Sequence, residues 1–243
     1  MEDAIIASDD SDSEESSAVA VLPLLDDLFG DHPESLCKTE SQAYRIERGI
    51  ELSSPSLVYN EVPLRSFLEL LTHVKTTHGF MYRDKPLHNG GRFVDAGSGA
   101  GKLVFAAAIA ECHDFASCTG VEILEPLYGM SLELLASWQD DIAPVLPAAK
   151  QGTELRFVLG DMLLTDDDTC CSADVVFANS STFDDDTMEK LSDYAMDLSK
   201  GAIFMTASQP LQDVDEVYAL LEVYEMQVPF GTLSIYIQRK LQT

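Results

Sequence analysis

Arg92-Phe-Val-Asp-Ala-Gly-Ser-Gly-Ala-Gly-Lys102 joins a short apolar run to an alanine-rich one through three alternating glycines. The order is that of a strand, a tight loop and a helix. Glycines at 97, 99 and 101 let the backbone take positive φ and approach a ligand with no side chain between. In open α/β sheets, ligands occupy the crevice at such strand ends. Spacing excludes two phosphate motifs. A phosphate-cradling loop requires Gly-x-x-x-x-Gly-Lys-Ser/Thr, but Ala96 stands at its first glycine and Leu103 at its hydroxyl position. The dinucleotide fingerprint Gly-x-Gly-x-x-Gly reaches its third glycine one residue later than Gly101. A purely structural glycine turn in another α/β protein is the remaining alternative.

Outward from this loop, apolar strand-like runs alternate with helical spacing. Before it, Leu64, Phe67, Leu68, Leu71 and Val74 recur at three- and four-residue intervals and predict an amphipathic helix. After it, strands are predicted at Cys118–Ile123, Leu155–Leu159, Asp174–Ala178 and Ala202–Thr206. Helices are predicted at Leu124–Trp138, Asp184–Leu198 and Val214–Tyr224, and two β-rich runs close the chain around Gly231. Such alternation calls for an α/β fold: a mainly parallel sheet with helices on both faces, ending in an antiparallel hairpin.

Composition bounds the rest. With 42 acidic and 15 basic residues the net charge is −27, which repels nucleic acid and anionic membranes and suits basic partners or simple solubility. Residues 1–40 hold twelve acids against one base, Lys38, and are expected to be an acidic, largely disordered tail, although Leu22 to Phe29 has the spacing of a short helix. A mixed lead segment over 41–90 and a core over 91–243 follow. Acids stand where a signal or transit peptide carries bases, and no apolar run is long enough to span a bilayer, so an intracellular soluble protein is expected. Five cysteines without zinc-type spacing suggest neither a disulfide framework nor a metal site. Asp184–Asp186 reads as a helix start, where the dipole favours acids, and Asp166–Asp168 as a solvated loop.

The pattern Asp95-x-Gly97-x-Gly99-x-Gly101, followed by Glu122 at the end of the next strand, resembles the S-adenosylmethionine site of class I methyltransferases. That resemblance implies a Rossmann-like, seven-stranded fold. In it the loop residues Gly97, Ser98, Gly99, Gly101 and Lys102 wrap the methionine end of the cofactor. Glu122 grips the ribose hydroxyls, as a charge-assisted acceptor of two hydrogen bonds can. Asp161 and Met162 would contact adenine.

Further segments narrow the likeness. Tyr59-Asn60-Glu61-Val62 ahead of the first helix, Gly120-Val-Glu-Ile123, Phe177-Ala-Asn-Ser-Ser-Thr-Phe183 and the closing Gly231–Lys240 together resemble the disruptor-of-telomeric-silencing family. These are the non-SET histone lysine methyltransferases, and the resemblance covers about residues 55–240. It implies that Tyr59 and Glu61 lie near the methionine end, with Glu61 and Asn179 as catalytic candidates and Asn179 where methyl meets amine. Phe183, Phe230 and Tyr236 become candidate walls of a lysine channel. Asn60 replaces the family's usual Gly, and Ile235 stands ahead of Tyr236 where a Tyr-Tyr pair is common. The implied partner is a basic protein, a histone or nucleosome, and the implied compartment the nucleus. No strong nucleic-acid binding by this chain alone is expected. The alternatives are a methyltransferase for another protein or small molecule, and a non-catalytic cofactor-binding module.

Overall fold

The glycine loop sits at the middle of a seven-stranded sheet in a computed structural model that describes residues 22–50, 55–163, 172–229 and 231–242. Two helices come first, α1 (22–29) and α2 (Glu34–Glu47), and a short 3-10 turn (Pro55–Leu57) leads to α3 (Leu64–Thr77). A two-stranded hairpin, β1 (Met81–Tyr82) and β2 (Lys85–Pro86), precedes β3 (Arg92–Ala96), the glycine loop and α4 (Lys102–Ile109). Then follow β4 (Ser117–Glu122), α5 (Glu125–Ser137), the one-turn α6 (Ala148–Gln151), β5 (Glu154–Leu159) and β6 (Val175–Ala178). The chain ends with α7 (Asp185–Ala195), β7 (Ile203–Ala207), β8 (Tyr218–Val228) and β9 (Gly231–Lys240).

Strand order is β5-β4-β3-β6-β7-β9-β8, parallel except that β9 runs antiparallel to both its neighbours. The order reverses between β3 and β6, so the loop after β3 opens at the topological switch point, where doubly wound sheets bind ligands. The expected mainly parallel sheet with a closing antiparallel hairpin is thus present.

Alternation along the central strands splits the core in two. Phe93 of β3, Val175 and Phe177 of β6 and Met205 of β7 face α1 to α5, while Val94, Ala96, Val176, Ala178 and Phe204 face α7. The spacing read for α3 holds, since Phe67, Leu68, Leu70, Leu71 and Val74 are buried. Every residue of α4 from Leu103 to Ile109 is buried, as expected for a helix apolar all round and enclosed by neighbours. Asp184 caps α7 by accepting the Thr187 N–H, and Asp185 and Asp186 fill its first turn.

Two expectations change. Residues 22–40, grouped by charge with the acidic tail, are largely helical, and Leu25, Leu28, Phe29 and Cys37 lie in the larger core. Their acids point outward, so charge density concealed an apolar face. Residues 1–21 lie outside the described residues. The helix predicted at Val214–Tyr224 is instead a turn followed by edge strand β8. A bulge between Leu220 and Glu222 breaks its two-residue alternation, so Tyr218 packs on the α7 side of the sheet while Leu221 and Tyr224 pack against the larger core.

Candidate active site

A cavity of about 550 Å³ opens at the carboxyl ends of β3, β4 and β6. Its floor is the glycine loop with Asp95, Gly97 and Ser98. One wall is the β4 end with Glu122, and the other is the lead segment from Ser56 to Val62. Asp161, Met162, Asn179 and Phe183 complete the ring, and Lys102 reaches in from the first turn of α4.

The three loop glycines have different duties. All have positive φ, at 85°, 55° and 84° for Gly97, Gly99 and Gly101. A Cβ on Gly97 would meet nothing within 4 Å, so its absence keeps the cavity floor open. On Gly99 a Cβ would lie 2.2 Å from the Tyr59 ring, and on Gly101 2.3 Å from the Phe157 ring. Gly99 and Gly101, expected against the cofactor, therefore seat protein side chains instead, and neither lines the cavity.

The lead segment is tied down by polar contacts. Tyr59 donates its hydroxyl to Glu61 Oε1 at 2.8 Å, and Lys102 Nζ lies 2.8 and 3.0 Å from the two Glu61 oxygens. Burial, then the Glu61 charge, holds the Tyr59 phenol well above its ordinary pKa, so it stays a neutral donor. Asn179 donates its side-chain amide to the Asn60 carbonyl at 3.0 Å and accepts the Ser181 hydroxyl at 2.9 Å. Ser56 Oγ lies 3.0 Å from Thr187 Oγ1 and accepts the Asp184 N–H. The ties from Glu61 to Lys102, Asn60 to Asn179 and Ser56 to Thr187 had no counterpart in the sequence, because they join residues 41 to 131 positions apart.

Glu122 accepts the Gly99 N–H at 2.7 Å and the Leu124 N–H at 2.8 Å, which fixes its carboxylate at the strand end. Burial still raises its pKa, the backbone hydrogen bonds it accepts only partly offsetting that. Asp95 is pushed up to about 8, first by burial and then by the charge of Glu122. Two buried carboxyl groups face one cavity, and a cationic ligand there would draw Asp95 into its charged form.

Stability should follow that protonation. Asp95 retains its proton in the folded protein up to about pH 8 but releases it from the unfolded chain near its ordinary 3.8. Between these values the folded state binds more protons, so stability falls as pH rises. Asp95→Asn in ligand-free protein should flatten that fall, and thermal melts from pH 4 to 8 test this. Parallel wild-type and variant curves would contradict it.

Ser98 Oγ is buried with no hydrogen-bond partner and lines the same floor. An orphaned hydroxyl, an open glycine and two buried carboxyl groups that a cation would ionise fit a cofactor that carries a sulfonium, an ammonium and ribose hydroxyls. Of the expected channel residues, Phe183 lines the cavity but Tyr236 does not. It lies on β9, opposite Thr206 and Val223, where the antiparallel pairing carries it away from the switch point. Phe230, like Asp166–Asp168 and the Cys170-Cys171 pair, lies outside the described residues. Asp184, Asp186, Thr187 and Lys190 join the rim without having been foreseen. The acidic helix start was legible, but not that it faces the cavity.

Fold and site together define a Rossmann-like, S-adenosylmethionine-dependent methyltransferase. The family described as Histone methylation protein DOT1 matches residues 71–217, more than half of the chain, and the chain belongs to that family. No curated protein matches it. Among solved structures it resembles yhhF of Escherichia coli, assigned as a methyltransferase, with a TM-score of 0.52 and 15% identity over 76% of this chain and 90% of that one. It also resembles the rRNA methyltransferase aviRa from Streptomyces viridochromogenes, with a TM-score of 0.52 and 12% identity over 74% and 86% of the two chains. At these identities the likeness is one of fold. Among the described residues, no helix is long and apolar enough to cross a membrane.

Proposed function

We propose that this methyltransferase acts on a lysine amine of a basic protein, a histone alone or in a nucleosome, and therefore works in the nucleus. The observation that carries the proposal is the charge of the cavity's rim. Asp184 and Asp186 stand at the opening, and the rim's Lys190 is paired with Asp186 at 2.6 Å. With a net charge of −27 behind it, this opening favours a cationic side chain and repels a phosphodiester backbone. The fold likeness to an rRNA methyltransferase therefore does not extend to an RNA substrate.

S-adenosylmethionine supplies an electrophilic methyl group on a sulfonium when bound. Within the proposal, Glu122 holds the ribose hydroxyls, Asp161 and Met162 the adenine, and Gly97, Ser98 and Asp95 the methionine end. Lys102, Glu61 and Tyr59 act as one unit that fixes the lead segment over that end. A lysine amine must shed its proton before it attacks, which from a pKa of roughly 10.4 costs about 4–5 kcal/mol near neutrality. The rim acids attract the cation but stabilise its charge. Phe183, also in the cavity lining, presents apolar surface that lowers the amine's pKa by desolvation. Asn179, held by Asn60 and Ser181, orients the reacting pair, and water takes the proton.

Asn179→Ala should lower turnover by about 10- to 100-fold at saturating cofactor, because alignment is the main contribution the enzyme makes to an in-line displacement. Single-turnover transfer measures this, and an unchanged rate would remove Asn179 from the transfer site. The broader test offers methyl-labelled cofactor with nucleosomes, free core histones and RNA side by side. Label on a histone lysine supports the proposal. Label on RNA overturns it, and bound cofactor without transfer to any of them points to a binding module.

A further inference from the structure

Away from the cavity, the last turn of α3 meets the edge of the sheet at three side chains. His73 Nε2 and His78 Nε2 each lie 2.8 Å from the same oxygen, Oε2 of Glu222. One ligand atom from each residue lies within 4.8 Å of the others, the only such group among the described residues. We infer that His73, His78 and Glu222 form a divalent-metal site of the zinc class that fastens the end of α3 to β8.

The donor set and its support carry the inference. Two imidazoles and a carboxylate suit Zn²⁺, with bonds of about 2.0–2.2 Å that set neighbouring donors about 3.4 Å apart in a tetrahedron. The observed 2.8 Å contacts need to open by only about 0.6 Å to admit it. All three residues are partly exposed, which leaves the fourth position open to water. Glu222 follows directly on the bulge at Leu221, a device that re-aims side chains on an edge strand. His78 is the C-cap of α3, and Arg239 fixes its backbone by donating to the His78 and Gly79 carbonyls at 2.7 Å. The Tyr224 ring packs on the His73 imidazole at 4.9 Å between centroids.

Proton placement follows from the geometry. Without metal, each imidazole donates Nε2–H to the shared carboxylate oxygen, which can only accept. With metal, each carries its proton on Nδ1 and coordinates through Nε2, and in His73 that Nδ1 faces Thr77 Oγ1 at 3.5 Å. None of the three residues lines the methyltransferase cavity, so the role is structural. Ser66 already ties the other end of α3 to β8 by donating to the Gln227 carbonyl, and the metal would secure the second end.

The test uses tag-free, chelator-stripped full-length protein titrated with Zn²⁺ at about 0.15 M salt, which screens diffuse binding to the acidic surface. One saturable equivalent is expected, and a hundredfold excess over Kd should raise Tm by roughly 5–10 °C. Glu222→Gln and His73→Ala, both at partly exposed positions, should each weaken binding at least 100-fold while circular dichroism stays unchanged. Co²⁺ as a probe should give no thiolate charge-transfer band. Absence of a saturable equivalent, unaltered binding in both variants, or a thiolate band assigning the metal to cysteine would each overturn the site.

Discussion

Glu122→Ala is expected to weaken S-adenosylmethionine binding by at least about 100-fold and to destabilise the ligand-free protein by about 2–4 kcal/mol. The carboxylate is 6% exposed and accepts two backbone N–H groups, one from the glycine loop and one from the turn into α5. Truncation strands both donors in a buried place, at about 1–3 kcal/mol each, partly offset by removal of a buried acid. The lost ribose contacts would be charge-assisted and worth about 1.5–3 kcal/mol apiece. Glu122→Gln should fall between, because its single carbonyl can satisfy only one of the two donors. Calorimetric titration and urea unfolding read the two effects separately. Wild-type cofactor affinity in the alanine variant would remove Glu122 from the binding site.

Alanine at Gly97 and alanine at Gly101 should fail in opposite ways. At Gly97 the new methyl meets no protein atom, so stability should drop only by the left-handed strain of about 1–2 kcal/mol. The methyl would project into the cavity floor, and cofactor affinity should fall at least tenfold. At Gly101 it would strike the Phe157 ring, itself packed on Phe105 at 5.4 Å between centroids. Strain and overpacking together should cost about 3–5 kcal/mol, a large share of the roughly 5–15 kcal/mol that holds a domain folded. Melting curves and cofactor titration on the two variants test the contrast. Equal loss of stability in both would show that the loop glycines share one duty.

The sequence made the central architecture legible because β3, β4, β6 and β7 are buried on both faces and bounded by sharp turns. The strand-end carboxylates expected around a cofactor were equally readable as neighbours in space. Asp95, Glu122 and Asp161 sit at strand ends, and strand ends are visible in the order of apolar runs. Three things were hidden. The β8 bulge broke the two-residue alternation by which a strand is recognised. Acidic character along residues 22–40 masked the apolar face carrying Leu25, Phe29 and Cys37. Finally, contacts between distant segments leave no local trace. Gly99 and Gly101 could be read as special, but not that Tyr59 and Phe157 are the reason. In the same way, Glu222 stands too far along the chain for its meeting with two histidines to be read from spacing.

The lead segment's ties also set when the protein becomes competent during synthesis. Its contact with Lys102 needs only the first helix after the glycine loop, but Asn60 waits for Asn179 and Ser56 for Thr187, 119 and 131 residues further on. Closing such long loops is slow relative to forming local turns. A nascent chain that has emerged only as far as β5 would hold the lead segment by its Lys102 contact alone, without the ties to Asn179 and Thr187. Full docking of that wall, and with it ligand capture, is therefore expected only once α7 has emerged.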